Sequence, residues 1–255
     1  MYSEDIYRRL VEELNRGNRC VLFTIVSKGG VTPRGVGAKM LVFSDGSTFG
    51  SIGGGEVEQK LLDMVVADFD GVEPGVHRVE LFGEGECGGY VDVYVEPVIP
   101  KQKLLIFGGG HCGRALAKLA KEVGFYVVLA DNRKEVVEEV KSLADRVVLC
   151  DYSNLEGVLE GGIYICVMTP HHKWDADVLY QCLQTDFVYL GMMASPKKAR
   201  EIKQKMIDRG VPKELVERVS SPIGLDINSH TPAEIAVSIV AELIKVRNSK
   251  KEGVL

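Results

Sequence analysis

A chain of 255 residues with 45% hydrophobic and 26% charged side chains has a globular composition, and its length suits one large domain or two smaller ones. Its 31 basic side chains are outnumbered by 36 acidic ones, for a net charge of −5, which argues against a nucleic-acid-binding surface. No apolar run approaches the roughly 20 residues that span a bilayer, and the N-terminus lacks a signal-peptide pattern, so a soluble cytoplasmic protein without membrane association is expected.

The spacing of Ile6, Leu10, Val11 and Leu14 predicts a first helix, ended by Gly17. Strands are predicted over Cys20 to Val26 and Met40 to Phe43, with Asp45-Gly46 turning the chain. Val57, Leu61, Met64 and Val65 mark a helix that leaves the triple glycine 53–55. Val76 to Phe82 and Tyr90 to Glu96 read as a hairpin whose long loop carries Cys87, and the proline-bearing stretch 96–101 reads as a linker. Residues 1–98 therefore form a small α+β domain.

From Leu104 onward the pattern changes. Leu104 to Phe107, Tyr126 to Ala130, Arg146 to Cys150, Ile163 to Met168 and Phe187 to Leu190 are continuous apolar runs separated by helical or polar stretches. Such runs form parallel strands covered on both faces, so residues 101–255 read as a Rossmann-like doubly wound α/β domain. Thr231, Pro232 and Glu234 supply an N-cap, a first-turn proline and the acid of a capping box for a last, broadly apolar helix. That helix is either deeply buried or part of a subunit contact.

The 28 glycines exceed the usual ~7% and cluster. Gly108-Gly109-Gly110-His111-Cys112-Gly113 is a GxGxxG turn with a strand before it and a helix after it. Gly108 permits the tight turn, Gly110 admits a diphosphate to the backbone and Gly113 lets helix pack on strand. The next strand ends at Asp131, about 20 residues on, where a carboxylate would accept from a ribose hydroxyl. His111 would contact a phosphate or simply be solvated. The bound phosphate could belong to NAD(P), another nucleotide or a pterin cofactor, and a ligand-free strand–helix turn is the alternative.

Cys87 is the unusual member of six cysteines that contain no CxxC pair. Its neighbours Gly85, Gly88 and Gly89 cannot cover a thiol, and their amides could form an anion-binding nest that lowers its pKa. Glu84 and Glu86 oppose a thiolate, and a cysteine incidentally placed in a loop stays an alternative. Cys20, Cys150 and Cys166 read as core residues. His172 and Asp175 could converge on a metal across one helical turn or merely belong to a polar loop and helix start, so any metal stays unassigned. Ser195 is a natural N-cap, and Lys197 and Lys198 in the first turn oppose the helix dipole unless an anion binds there.

Together these motifs resemble the XdhC/CoxI family, accessory proteins that mature molybdenum hydroxylases such as xanthine dehydrogenase. The resemblance rests on Thr32-Pro33-Arg34 with Gly37-Ala38-Lys39-Met40, Gly50 to Glu58, Cys87-Gly88-Gly89 and Gly108 to Gly113. It continues through Tyr189-Leu190-Gly191 with Ser195 and Lys198, Pro222 to Ile227, and Thr231 to Ile239. It implies a cytoplasmic, homodimeric, non-catalytic factor that binds molybdenum cofactor (molybdopterin), protects its sulfurated form and delivers it to the apo-hydroxylase, with a cysteine desulfurase as second partner. Cys87 and Gly88 would contact the cofactor or its sulfur. Arg34 would face an anionic group, and Gly53, Gly54 and Gly55 would line the surface. Two departures stand out. Pro170 follows Thr169, so only His172 and Asp175 match a family Thr-His-x-His-x-x-Asp pattern, and Cys112 stands where an aliphatic residue is usual, which makes it a second candidate thiol. An NAD(P)-dependent oxidoreductase using the Rossmann domain is the rival reading, and a nucleotide-sensing regulator a third.

Overall fold

The computed structural model describes residues 3–81 and 89–249. The chain divides into two compact units, Met1–Lys101 and Gln102–Leu255. Among the described residues no helix is long and apolar enough to cross a membrane.

The first unit is one sheet with a helix on each face. Its elements are α1 (Ser3–Asn15), β1 (Cys20–Gly29), β2 (Lys39–Phe43), β3 (Thr48–Gly50), α2 (Gly55–Ala67), β4 (Gly75–Leu81) and β5 (Gly89–Val98). The sheet order is β3-β2-β1-β5-β4 and every pair is antiparallel. Alternation along β1 sends Cys20 and Leu22 towards Ile6 and Leu10 of α1, and Val21, Phe23 and Ile25 towards Val57, Leu61 and Val65 of α2. Burial of each such side chain is worth about 1.5–3 kcal/mol, which is why the start of β1 is apolar on both faces.

One short strand is added to the expected elements and one expectation is corrected. The three residues of β3 are too few to show a period in sequence. β5 continues through Pro97, opposite Val21, into the stretch read as a linker. The strand tolerates Pro97 because β4 pairs with β5 no further than Val95, so the missing N–H falls where β5 is an edge.

The second unit contains β6 (Lys103–Phe107), α3 (His111–Glu122), β7 (Tyr126–Asp131), α4 (Lys134–Val140), β8 (Arg146–Leu149), β9 (Ile163–Val167), α5 (His172–Cys182), β10 (Phe187–Met192), α6 (Pro196–Asp208), α7 (Lys213–Glu217) and α8 (Pro232–Ser249). All its strand pairs are parallel, in the order β10-β9-β6-β7-β8. Chain order reverses between β6 and β9, which makes their carboxyl ends the switch point of a Rossmann-like sheet. Helices α3, α4 and α8 cover one face through Leu116, Ala117, Val140, Ile239 and Leu243. Helices α5, α6 and α7 cover the other through Val178, Leu179, Ile202, Met206 and Val216. The connection from β8 to β9 is an irregular turn that buries Tyr152 and Leu155 instead of a helix.

Ser220 runs parallel beside Gly191, and the Ser220 and Ile223 amides donate to Leu190 and Met192. Glu242 of α8 ties this segment down, accepting from Tyr189 Oη at 2.6 Å and from the Gly224 amide at 2.7 Å. The Tyr189-Leu190-Gly191 and Pro222 to Ile227 motifs thus act in packing. α8 starts with the expected capping box, the Thr231 hydroxyl accepting from the Glu234 amide and the Glu234 carboxylate from the His230 and Thr231 amides.

Candidate functional site

The GxGxxG turn lies at the switch point, and its glycines divide into packing positions and one open position. Gly108 has φ +116°, and a Cβ there would lie 2.2 Å from the Met168 carbonyl oxygen. A Cβ on Gly113 would lie 1.9 Å from the Gly108 carbonyl oxygen. These two let β6, β9 and α3 meet. Gly110 is exposed, caps α3 with extended backbone and has nothing within 4 Å of its Cβ position. No side chain caps α3, so the amides of its first turn, beginning at exposed His111, are without a side-chain partner there. A ligand phosphate would fit there.

Asp131 behaves differently from the expectation that it is a free ribose acceptor. Its side chain is fully buried and takes four donors: the Gly109 amide at 2.7 Å, and Arg133 through its amide at 2.9 Å, Nε at 2.9 Å and Nη2 at 2.7 Å. Burial by itself would raise this carboxyl, but the Arg133 side chain and the Gly109 and Arg133 amides outweigh it and hold it below the usual carboxylate range. Sequence reasoning missed Arg133, although a guanidinium two residues after the acid was a readable signal. Next to it in sequence, Asn132 Oδ1 is buried without a partner among the described residues.

A second cluster forms at one edge of the first unit's sheet, where β1 and β3 end and β2 and β5 begin. Gly53, at φ +139°, abuts Pro33, whose Cγ would lie 2.8 Å from a Cβ there. Gly89 abuts the Val31 carbonyl at 2.6 Å by the same measure. The loop bearing Thr32, Pro33 and exposed Arg34 therefore adjoins both the triple glycine and the start of β5. Cys87 and Gly88 precede that strand and lie outside the described residues.

The triple-glycine loop is already engaged from within. Glu58 Oε1 accepts from Ser51 Oγ at 2.7 Å, the Ile52 amide at 3.0 Å and the Gly54 amide at 2.7 Å. Within the loop Gly54 spends its amide on Glu58 and Gly53 donates to Ser51 Oγ at 3.2 Å, while the Gly55 Cβ position stays open. Burial raises the Glu58 carboxyl, but Ser51 and the loop amides lower it by more, so its net pKa is depressed. A depressed carboxyl contributes stability above its unfolded value near ~4.3 and loses it as pH falls through the folded value. Amide-exchange protection at Ile52 and Gly54, measured against intrinsic rates, is expected to drop as the pH falls below that unfolded value. Glu58→Ala is expected to remove it already at pH 7, and equal protection in that variant would show that Glu58 does not hold the loop.

Ser195, Lys198 and Asp175 each make local contacts in this arrangement. Ser195 Oγ accepts from the Lys198 amide at 3.3 Å with Pro196 in the first turn, and Lys198 Nζ lies 3.4 Å from Glu201 of its own helix. Thr169 donates its hydroxyl to buried Asp175 at 2.6 Å. Among the described residues no group of three or more His, Cys, Asp or Glu side chains is placed to hold a metal. Burial raises the Cys112 thiol, pushes Cys20 up to about 11 and Cys150 up to about 12, and raises Cys166 and Cys182 further. Burial thus disfavours the thiolate at all five, Cys112 included.

Comparison with known proteins agrees with this architecture. The sequence model of the XdhC Rossmann domain matches residues 104–243, and that of the XdhC and CoxI family matches residues 13–80. The uncharacterized protein YqeB of Escherichia coli strain K12 is 29% identical over 241 residues, covering 91% of this chain and 44% of YqeB. A Bacillus subtilis strain 168 protein described as a probable xanthine dehydrogenase subunit is 27% identical over 159 residues, covering 61% of this chain and 46% of that protein. The chain thus spans less than half the length of these curated relatives. A crystal structure described as a xanthine dehydrogenase from Bacillus halodurans shares the fold with a TM-score of 0.53 at 24% identity, covering 94% of this chain and 95% of the other. With its Rossmann domain matched over more than half its length, and with the motifs of both units in the expected order, the chain belongs to the XdhC/CoxI family.

Proposed function

We propose that this chain is a molybdenum-cofactor-binding and insertion factor, which holds the cofactor, protects its sulfurated form and hands it to a xanthine dehydrogenase-type hydroxylase. The observation that carries the reading is the open, uncapped turn at Gly110, in a chain of this family. The amides around Gly110 and His111 suit the phosphate end of the pterin. In the first unit, taken by itself, Arg34 is exposed beside the triple glycine and suits an anionic group, and Cys87 would offer a soft sulfur ligand. When bound, the cofactor supplies a molybdenum centre with an exchangeable sulfur, and the chain's own residues bind, orient and shield it without catalysing a reaction. The partners this implies are the hydroxylase and a cysteine desulfurase, with the chain acting as a homodimer. The name of the Bacillus subtilis relative supports the link to xanthine dehydrogenase. The NAD-dependent form of the rival oxidoreductase is less favoured because the Asp131 carboxylate is committed to Arg133 and Gly109.

Titration of the purified chain with isolated molybdopterin is expected to show binding of about one equivalent per protomer. Cys87→Ala is expected to weaken it about tenfold or to abolish activation of the apo-hydroxylase by sulfurated cofactor. Unchanged binding and delivery in that variant would remove Cys87 from the mechanism, and tight NAD(H) binding with turnover would favour the rival.

A further inference from the structure

We propose that the corner where β7 ends selects a phosphate monoester on the ligand over a free ribose diol, with Arg133 as its recognition residue. The inference rests on the reading of the Gly108–Gly113 turn as a phosphate site and adds a selectivity to it. In dinucleotide folds, the acid at this strand end accepts from ribose hydroxyls, or a nearby arginine takes a phosphate on that ribose. The geometry here separates the two cases.

A carboxylate has about four lone-pair sites, and Asp131 fills them with four donors at 2.7–2.9 Å while fully buried. A diol would find no acceptor until the Arg133 fork was pulled away, at the cost of two charge-assisted hydrogen bonds. Arg133 is still open to a ligand. Its side chain is 35% exposed, and of its five N–H donors only Nε and one on Nη2 are engaged among the described residues. Arg133 Nη2 and the Gly109 amide each lie 2.7 Å from the same Asp131 oxygen, so the two nitrogens are at most about 5.4 Å apart. The guanidinium thus borders the glycine turn itself. Its charge cancels that of Asp131, and a phosphate arriving there meets a planar fork with donors to spare and no net negative charge.

The phosphate has two possible sources, the 2′-phosphate of a nucleotide or the terminal phosphate of a pterin cofactor, and calorimetry on the full chain distinguishes them. The probes are NADP⁺ against NAD⁺, and molybdopterin against its dephosphorylated form. In at least one pair the phosphorylated member is expected to bind about tenfold or more tightly, and the pair showing the difference identifies the source. Arg133→Leu is expected to erase the difference. Arg133→Lys, which keeps the charge and lets the fold be checked by circular dichroism, is expected to reduce it severalfold because the fork is lost. If the phosphorylated and unphosphorylated members of both pairs bind alike, or if the preference survives in a folded Arg133→Lys and Arg133→Leu pair, the selectivity is overturned while the turn stands as a binding site. If none of the four probes binds, the reading of the turn falls and the selectivity with it.

Discussion

Gly108→Ala is expected to lower the stability of the second unit by about 3 kcal/mol, combining backbone strain with overpacking. At φ +116° an L-residue is strained, and the new Cβ would lie 2.2 Å from the Met168 carbonyl oxygen, a backbone atom of the segment following β9 that cannot turn aside. Relief requires the separation of β6 from β9 at the centre of the sheet. Gly110→Ala is the informative partner. Gly110 has φ −71° and open space at its Cβ position, so that variant should stay within about 0.5 kcal/mol of the parent. It should nevertheless bind phosphate-bearing ligands about tenfold more weakly, because the methyl group occupies the approach to the α3 amides. Urea unfolding followed by fluorescence of the single tryptophan, Trp174 on α5 of the second unit, measures the stability arm. A Gly108→Ala protein with the parent midpoint would show that the turn is not packed as described, and a Gly110→Ala protein with parent affinity would show that it is not the ligand's seat.

Asp131→Ala carries the second large effect, also about 3 kcal/mol. It strips the buried Gly109 amide of its acceptor and leaves the Arg133 guanidinium without its counter-charge. Partial exposure of Arg133 keeps the loss at the lower end of the range for a broken buried pair, since the guanidinium can turn to water. Asp131→Asn should cost less, because one carbonyl oxygen stays in place to accept from Gly109. The pH dependence follows from the depressed carboxyl. Its stabilisation is complete above the unfolded value near ~3.9 and disappears as pH falls through the lower folded value. The parent and Asp131→Ala proteins should therefore converge in stability towards strongly acidic pH, the parent having lost what the variant never had. A constant gap between them down to that pH would mean that packing, and not the charge, supplies the effect.

How far the sequence could be read depended on the range of the forces involved. The apolar runs of β6, β7, β9 and β10 announced a parallel sheet because a strand covered on both faces has no polar positions to hide its identity. The caps at Ser195 and Thr231 were readable because a cap and its amide are three residues apart. β3 escaped notice because three residues carry no period, and Pro97 misled because sequence does not reveal where a neighbouring strand stops. Lys197 and Lys198 suggested an anion, yet Lys198 pairs with Glu201 one turn along. Cys87, on which the proposed sulfur chemistry rests, lies outside the described residues.

The glycine turn shows the division most clearly. Sequence alone determined that a strand, a GxGxxG turn, a helix and then an acid follow one another, and it determined the family through the order of its motifs. Only the tertiary structure decided what those groups do. It assigned Gly108 and Gly113 to packing and Gly110 to open space, committed Asp131 to Arg133 and Gly109, and gave the Gly54 amide to Glu58. The reason is competition: a carboxylate or an amide takes whichever partner the fold brings within about 3 Å, and that choice is made among groups which the linear order of residues does not rank.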